Sequence, residues 1–100
     1  MKDELFLRGA QVPMTKEAVR ALALAKLELH RARHLIDIGA GTGSVSIEAA
    51  LQNPVLRVTA IERQADALRL LADNRQRFGC DNIAIVAGVA PLAVADKADA

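Results

Sequence analysis

The segment His34-Leu35-Ile36-Asp37-Ile38-Gly39-Ala40-Gly41-Thr42-Gly43 organises the interpretation of the whole chain. Residues 35–38 form a short apolar run with branched side chains, broken only by Asp37, and this pattern predicts a buried parallel strand. Three glycines at alternate positions follow, and helical spacing resumes at Ser44. Glycines reach positive φ, turn tightly and let a ligand touch backbone amides. A strand, a glycine turn and a helix therefore predict a ligand site at the carboxyl end of a sheet.

The spacing of the glycines separates several ligand classes. A dinucleotide fingerprint would need a third glycine at position 44, which is Ser44. A P-loop needs a lysine at the start of the helix, and no lysine lies between His34 and Leu51. The remaining pattern, an acid at Asp37 followed by three alternate glycines, resembles the first motif of class I S-adenosylmethionine-dependent methyltransferases. A glycine turn that serves only to reverse the chain is the alternative.

Composition excludes several classes of function. The chain has 100 residues, 52% of them hydrophobic, and a net charge of +1, which indicates one domain or part of one. This balance predicts no binding to nucleic acid or to an anionic membrane. No apolar run has the length of a transmembrane helix or the form of a signal peptide. The lone Cys80 cannot form an internal disulfide, so we expect a cytoplasmic protein with Cys80 as a small buried residue.

Apolar periodicity predicts the remaining helices and strands. A helix is expected near 15–29, with Thr15 as its N-cap and Val19, Leu22, Ala23 and Leu27 on one face. His30 and His34 are predicted to lie in a solvated turn that follows this helix. Further helices are predicted at 44–52, 66–78 and 91–95, and further strands at 57–62 and 82–86. The arginines at 69, 75 and 77 are predicted to lie on a solvated helix face.

Glu62 is the second candidate site residue, because it ends the second predicted strand about 20 residues beyond the glycine turn. A carboxylate there can accept hydrogen bonds from both hydroxyls of a ribose. The alternative is a solvated strand end paired with Arg63. The loop at residues 87–91, after the third strand, lies over the same crevice, where its backbone could read an adenine edge.

Three strand–helix units with right-handed crossovers predict an α/β fold. The resemblance of the Asp37–Gly43 motif to class I methyltransferases implies that this fold is Rossmann-like, of the class I methyltransferase type, with a parallel sheet and flanking helices. The pattern stops after the third unit, so residues 1–100 are expected to be the amino-terminal half of a methyltransferase domain. Such a half would leave the strand at 35–38 as an open edge. The isolated segment is therefore expected to be unstable or self-associating.

Several segments together resemble one family, the decarboxylating cobalt-precorrin-6B C15-methyltransferases of anaerobic cobalamin biosynthesis. The most family-specific is Val12-Pro13-Met14-Thr15-Lys16-Glu17-Ala18-Val19-Arg20, which follows Leu5-Phe6-Leu7-Arg8-Gly9. The likeness continues through residues 35–48, 60–63, 74–78 and 88–91. It covers essentially the whole chain, although the glycine motif and Glu62 are common to many methyltransferases.

The resemblance implies S-adenosyl-L-methionine as cofactor and a cobalt-precorrin tetrapyrrole as substrate. The residues that fall where the family binds this cofactor are Thr15, Gly39, Ala40, Gly41, Thr42, Gly43, Glu62 and Ala90. Asp37 matches the acid that lies near the methionine ammonium in such enzymes. The implied reaction methylates C15 and releases the carboxyl group of the C12 acetate as CO2, and no residue here is identified as catalytic. No metal site is expected, and the complete enzyme is expected to be a homo-oligomer.

Other classes of function remain open from the sequence. A different small-molecule class I methyltransferase would share Asp37, the glycine turn and Glu62, but need not share residues 12–20. A nicotinamide-binding domain is disfavoured by Ser44. A truncated module without catalytic activity is a further alternative, from a different class of function.

Overall fold

A computed structural model of the chain describes residues 1–9 and 12–88. The elements are a 3-10 turn at Asp3–Leu5, α1 (Glu17–Leu27), β1 (His34–Ile38), α2 (Ser44–Gln52), β2 (Arg57–Glu62), α3 (Ala65–Phe78) and β3 (Ile83–Ala87). Each helix and strand predicted within this range is present, with ends within two residues of the prediction. The predicted helix at 91–95 lies outside the described residues. In the part of the chain that is described, no helix has both the length and the apolar character needed to cross a membrane.

The three strands form one parallel sheet in the order β1-β2-β3. Ile38 is paired with Ile61, and Glu62 is paired with Ala87, so the carboxyl ends of all three strands lie at one edge of the sheet. The glycine turn follows β1 at this edge. The architecture confirms the predicted α/β fold with a parallel sheet and flanking helices.

The core lies where α2 and α3 pack on the sheet. Its largest fully buried apolar side chains are Ile47, Leu56, Val58, Ile61, Leu71 and Ile83. β2 has neighbours on both sides and contributes Val58, Ala60 and Ile61 to this core, which accounts for its near-continuous apolar sequence. Cys80 is buried, as predicted.

Two predictions for α1 are wrong. Its side chains Val19 and Leu22 are 61% and 59% exposed, whereas Arg20 and Leu24 are buried. The buried face of α1 therefore includes an arginine that is hydrogen-bonded inside the molecule. A search for apolar periodicity does not detect such a residue. The N-cap is Lys16 and not Thr15, because the first helical bond runs from the Arg20 amide to the Lys16 carbonyl (2.9 Å).

The prediction of a solvated turn at His34 is also wrong. β1 begins at His34, whose side chain is buried. Its Nε2 lies 2.7 Å from Oγ1 of Thr59 on the neighbouring strand. A cross-strand partner thus compensates the burial of the imidazole.

Candidate functional site

A cleft of about 520 Å³ opens at the carboxyl edge of the sheet. It is lined by three stretches, residues 12–15, 38–41 and 61–64, together with Ala67 and Gly88. The second stretch ends β1 and begins the glycine turn, and the third ends β2. The first precedes α1 and lies across from the turn, so the cleft has a wall that comes from the start of the chain.

All three glycines of the turn need the backbone freedom of glycine. Gly39, Gly41 and Gly43 have φ of 69°, 59° and 86°, a region that other residues enter at a cost of about 1–2 kcal/mol. At Gly43 a Cβ would also lie 2.4 Å from Cδ1 of the buried Leu71. At Gly41 it would lie 3.1 Å from the carbonyl oxygen of Pro13, across the cleft wall. The turn therefore packs closely on both sides.

Three amides of the turn are already engaged within the protein. Gly39 and Ala40 both donate to the carbonyl of Ile61, at 2.8 and 3.1 Å. Gly41 donates to Oε1 of Glu62 at 2.9 Å. In this structure these three amides are therefore not free to donate to a ligand. Their hydrogen bonds join the turn after β1 to the end of β2 and fix the floor of the cleft.

Glu62 is an ionised, almost fully buried carboxylate at this floor, with 7% of its surface exposed. Besides Gly41, it accepts hydrogen bonds at Oε2 from the amides of Arg63 (3.0 Å) and Gln64 (2.9 Å). Burial acts to raise the pKa of Glu62, but these three amides and the charge of Arg63 outweigh it and lower the pKa. A carboxylate has about four acceptor positions, so a position on Oε1 remains for a ligand donor.

Asp37 is in β1 and is not among the residues that line the cleft. Its Oδ2 accepts a hydrogen bond from the hydroxyl of Ser46 on α2. Burial raises the pKa of Asp37, the Ser46 hydrogen bonds oppose that rise, and the charge of Glu62 adds to it. Asp37 therefore helps to hold α2 against the end of β1.

Asn74 supports the turn from α3. It is fully buried, and its Nδ2 donates to the carbonyls of Leu7 (3.0 Å) and Thr42 (2.9 Å). Its Oδ1 accepts from the amide of Leu7 at 2.7 Å. One side chain thus fastens both the N-terminal segment and the glycine turn to the same helix.

The structure brings most of the predicted site residues together. Those that line the cleft are Thr15, Gly39, Ala40, Gly41 and Glu62. Thr42 and Gly43 belong to the turn but are buried and do not line the cleft, and Ala90 lies outside the described residues.

The sequence-based site omitted several residues of the lining. These are Val12, Pro13, Met14, Ile38, Ile61, Arg63, Gln64, Ala67 and Gly88. Residues 12–14 stand in the family-specific segment, so their identity was a usable signal, while Arg63 and Gln64 follow directly after Glu62. Among the described residues, no group of three or more His, Cys, Asp or Glu side chains is placed to hold a metal ion.

Comparison with known proteins agrees with this geometry. The precorrin methyltransferase domain family matches residues 4–100. The chain is 76% identical over its full length to the decarboxylating cobalt-precorrin-6B C(15)-methyltransferase of Salmonella typhimurium, of which it covers 52%.

Two solved structures show the same fold. A precorrin-6y C5,15-methyltransferase from Geobacter metallireducens has a TM-score of 0.81 at 38% identity, covering 88% of this chain and 46% of that one. A precorrin-8w decarboxylase from Methanobacterium thermoautotrophicum has a TM-score of 0.82 at 33% identity, covering 96% and 52%. The chain thus spans about half the length of the relatives it matches. With its sheet, its glycine turn and its match over residues 4–100, the chain belongs to the precorrin methyltransferase domain family.

Proposed function

We propose that this chain supplies the cofactor-binding part of an S-adenosylmethionine-dependent C-methyltransferase. Its proposed substrate is a cobalt-precorrin, methylated at C15 with loss of the carboxyl group of the C12 acetate. The substrate and the reaction come from the name of the Salmonella typhimurium relative and from the resemblance described above. The observation that carries the choice of cofactor is the hydrogen bond from the Gly41 amide to Glu62.

This hydrogen bond favours a cationic ligand over a phosphate. Phosphate groups bind at glycine turns through free backbone amides. Here the amides of Gly39, Ala40 and Gly41 are donated within the protein, and an ionised carboxylate occupies the place that an anion would need. A sulfonium or ammonium group is attracted to such a carboxylate, so the cleft fits S-adenosylmethionine better than a pyrophosphate.

The cleft also offers groups for the uncharged parts of this cofactor. Glu62 retains acceptor capacity on Oε1 for a ribose hydroxyl, with a charge-assisted hydrogen bond. Ile61 and Ala67 provide apolar surface beside it. Thr15 and the rest of its stretch, residues 12–15, close the other side. The proposed assignments for Thr42, Gly43 and Asp37 are supporting ones, because these residues do not line the cleft.

The chemistry requires positioning more than acid or base catalysis. The bound cofactor would supply a methyl group already activated by its sulfonium. The protein's part is to hold that group in line with the attacking carbon and to exclude water. Glu62 and the glycine turn fix one end of the cofactor, and the apolar walls of the cleft keep water away.

We further propose that residues 1–100 are the amino-terminal half of the methyltransferase domain. β1 lies at one end of the three-stranded sheet, and its Ile38 is 63% exposed at the cleft. A homo-oligomeric complete enzyme and a cytoplasmic location stay predictions of the sequence.

The test is a methyl-transfer assay with the full-length protein, methyl-labelled S-adenosylmethionine and a cobalt-precorrin extract. We expect labelled tetrapyrrole together with CO2 release. Transfer of label to a different small molecule would replace the substrate but keep the enzyme class. Absence of S-adenosylmethionine binding by calorimetry would reject the proposed function altogether. In the methyl-transfer assay, Glu62→Gln serves as the control variant with weakened cofactor binding.

A further inference from the structure

Arg20 is a fully buried cation on α1. It contacts Thr15, in the wall of the cleft formed by residues 12–15, but does not itself line the cleft. Its side chain is 0% exposed, and burying a guanidinium is costly unless its donors are paired. Nε donates to Oε1 of Glu48 at 3.1 Å, and Nη1 donates to Oδ1 of Asp3 at 3.0 Å. The other two bonds go to the carbonyls of Thr15 and Met1.

These partners belong to parts of the chain that lie far apart in sequence. Glu48 is on α2, the helix that follows the glycine turn. Asp3 lies in the N-terminal segment, and the ring of Phe6 packs against the guanidinium, 5.0 Å from its carbon to the ring centre. Thr15 is the last residue of the stretch 12–15 that walls the cleft. Arg20 therefore connects that wall to the helix beneath the glycine turn.

The wall needs such a connection because it approaches the turn closely. The carbonyl oxygen of Pro13 lies 3.1 Å from the position that a Cβ on Gly41 would take. No regular hydrogen-bonded element contains residues 12–15, since α1 begins only at Glu17. The bond from Arg20 to the Thr15 carbonyl fixes the end of this stretch, and the bond to Glu48 fixes Arg20 relative to α2.

We propose that Arg20 is a positioning residue for cofactor binding, which sets the spacing between residues 12–15 and the glycine turn. It acts through Thr15 and Glu48 and touches no ligand itself. This inference rests on the proposed function, because it assigns Arg20 a role at the same cleft. It predicts that the arginine contributes to cofactor affinity beyond its contribution to stability.

The test compares a variant that lacks the hydrogen bonds of Arg20 with a control variant that lacks a similar set of hydrogen bonds away from the cleft. Arg20→Met combined with Glu48→Gln removes both charges of the buried pair. The two charges that lose a partner, the Met1 ammonium 2.7 Å from Oε1 of Glu48 and the carboxylate of Asp3, are partly exposed and remain accessible to water. Asn82→Ala is the control, because Nδ2 of Asn82 also binds carbonyls of separate segments, those of Ala50, Asn53 and Leu56, away from the cleft. Both are made in the full-length protein, and unfolding midpoints are measured for each.

Binding of S-adenosylmethionine is then measured by calorimetry, well below each unfolding midpoint. We expect the double variant to bind about tenfold or more weakly, as displaced positioning groups do, with KM raised more than kcat falls. Hydrogen exchange of the peptide covering residues 12–15 should be faster in the free protein. Asn82→Ala should lose stability but keep its affinity within about twofold, since distant sites act independently. Arg20→Lys should restore part of the affinity.

Two results would overturn the role of Arg20 alone. One is wild-type affinity in a folded double variant, and the other is an equal loss of affinity in Asn82→Ala. A wild-type protein that binds no S-adenosylmethionine would overturn this role together with the proposed function. The wild-type titration thus separates the two failures.

Discussion

Asp37 and Ser46 join the end of β1 to the first turn of α2, with 2.7 Å between the Asp37 Oδ2 and the Ser46 Oγ. α2 begins at Ser44, so this carboxyl lies near the positive end of the helix dipole. Burial nevertheless raises the pKa of Asp37. The pair therefore joins β1 to α2 at a cost in folding free energy that depends on the protonation of one half-buried carboxyl.

The pH dependence of stability should reveal this cost. The folded pKa of Asp37 is raised, so the folded state holds its proton more tightly than the unfolded chain, whose aspartates titrate at about pH 4. Stability from this group therefore falls as pH rises from about 4 through the folded pKa. Asp37→Asn removes that loss, so the stability of the variant relative to wild type should increase from about pH 3.5, below the unfolded pKa, to about pH 7.

Urea unfolding at about pH 3.5 and about pH 7 measures the difference in unfolding free energy between Asp37→Asn and wild type. In Ser46→Ala the loss of stability with rising pH should be larger than in wild type, because the substitution removes a hydrogen bond that favours the ionised carboxyl. Glu62 works in the opposite direction, since its lowered pKa gives stability that is lost as pH falls through the folded pKa. A stability difference between Asp37→Asn and wild type that is the same at both pH values would contradict the assignment.

Removing the charge of Glu62 should weaken cofactor binding in the full-length protein. Glu62→Gln abolishes a charge-assisted hydrogen bond, worth about 1.5–3 kcal/mol, and leaves the size of the side chain unchanged. Isothermal titration with S-adenosylmethionine measures the loss. Asp66→Asn, an exposed acid in the next helix that pairs with Arg69, is the matched control and should bind normally. Unchanged affinity in Glu62→Gln would remove Glu62 from the site.

Alanine at Gly43 should cost more stability than alanine at Gly79. Both glycines have positive φ, 86° and 64°, so both substitutions carry a backbone cost of about 1–2 kcal/mol. At Gly79 a new Cβ meets nothing within 4 Å, whereas at Gly43 it meets Leu71 at 2.4 Å. Overpacking this buried leucine should add about 1–3 kcal/mol. Equal unfolding free energies in denaturant would show that Leu71 moves aside without cost.

Asn74→Ala should destabilise the protein and loosen the N-terminal segment. The substitution leaves the Leu7 amide and the carbonyls of Leu7 and Thr42 without this partner. A buried group left unpaired costs about 1–3 kcal/mol, which applies in full to the Thr42 carbonyl, while the groups of Leu7 are partly exposed, so the total loss should be at least about 1 kcal/mol. Gln76→Ala, at an exposed position of the same helix, should change the unfolding free energy little. Hydrogen exchange at residues 5–9 that matches wild type would count against this account.

Much of the fold followed from the sequence because its strands are short, apolar and bounded by clear turn residues. β2 and α2 were predicted with the bounds that the structure has, since strand periodicity ends at an acid and helical periodicity starts after a glycine. The position of the candidate site was also predicted from local sequence signals. Glycine spacing and the acid at the end of β2 both locate the carboxyl edge of the sheet.

The remaining features depend on side chains that meet only in three dimensions. Nothing local marks Arg20 as buried, because its partner Glu48 lies 28 residues further along the chain. Apolar periodicity favoured the wrong face of α1 for this reason. The wall at residues 12–15 was likewise represented only by Thr15, because irregular stretches carry no periodic signal that shows which side faces a cleft.

The bonds between Leu7 and Asn74 also constrain the order in which the protein can become ordered. The ribosome makes Leu7 first, but the side chain that holds it is added 67 residues later. Contacts between residues so distant close a long loop, and the entropy cost of that closure must be met before the contact forms. The segment around Leu7 is therefore among the earliest parts of the chain to be synthesised, yet its two hydrogen bonds to Asn74 can form only once α3 has been made.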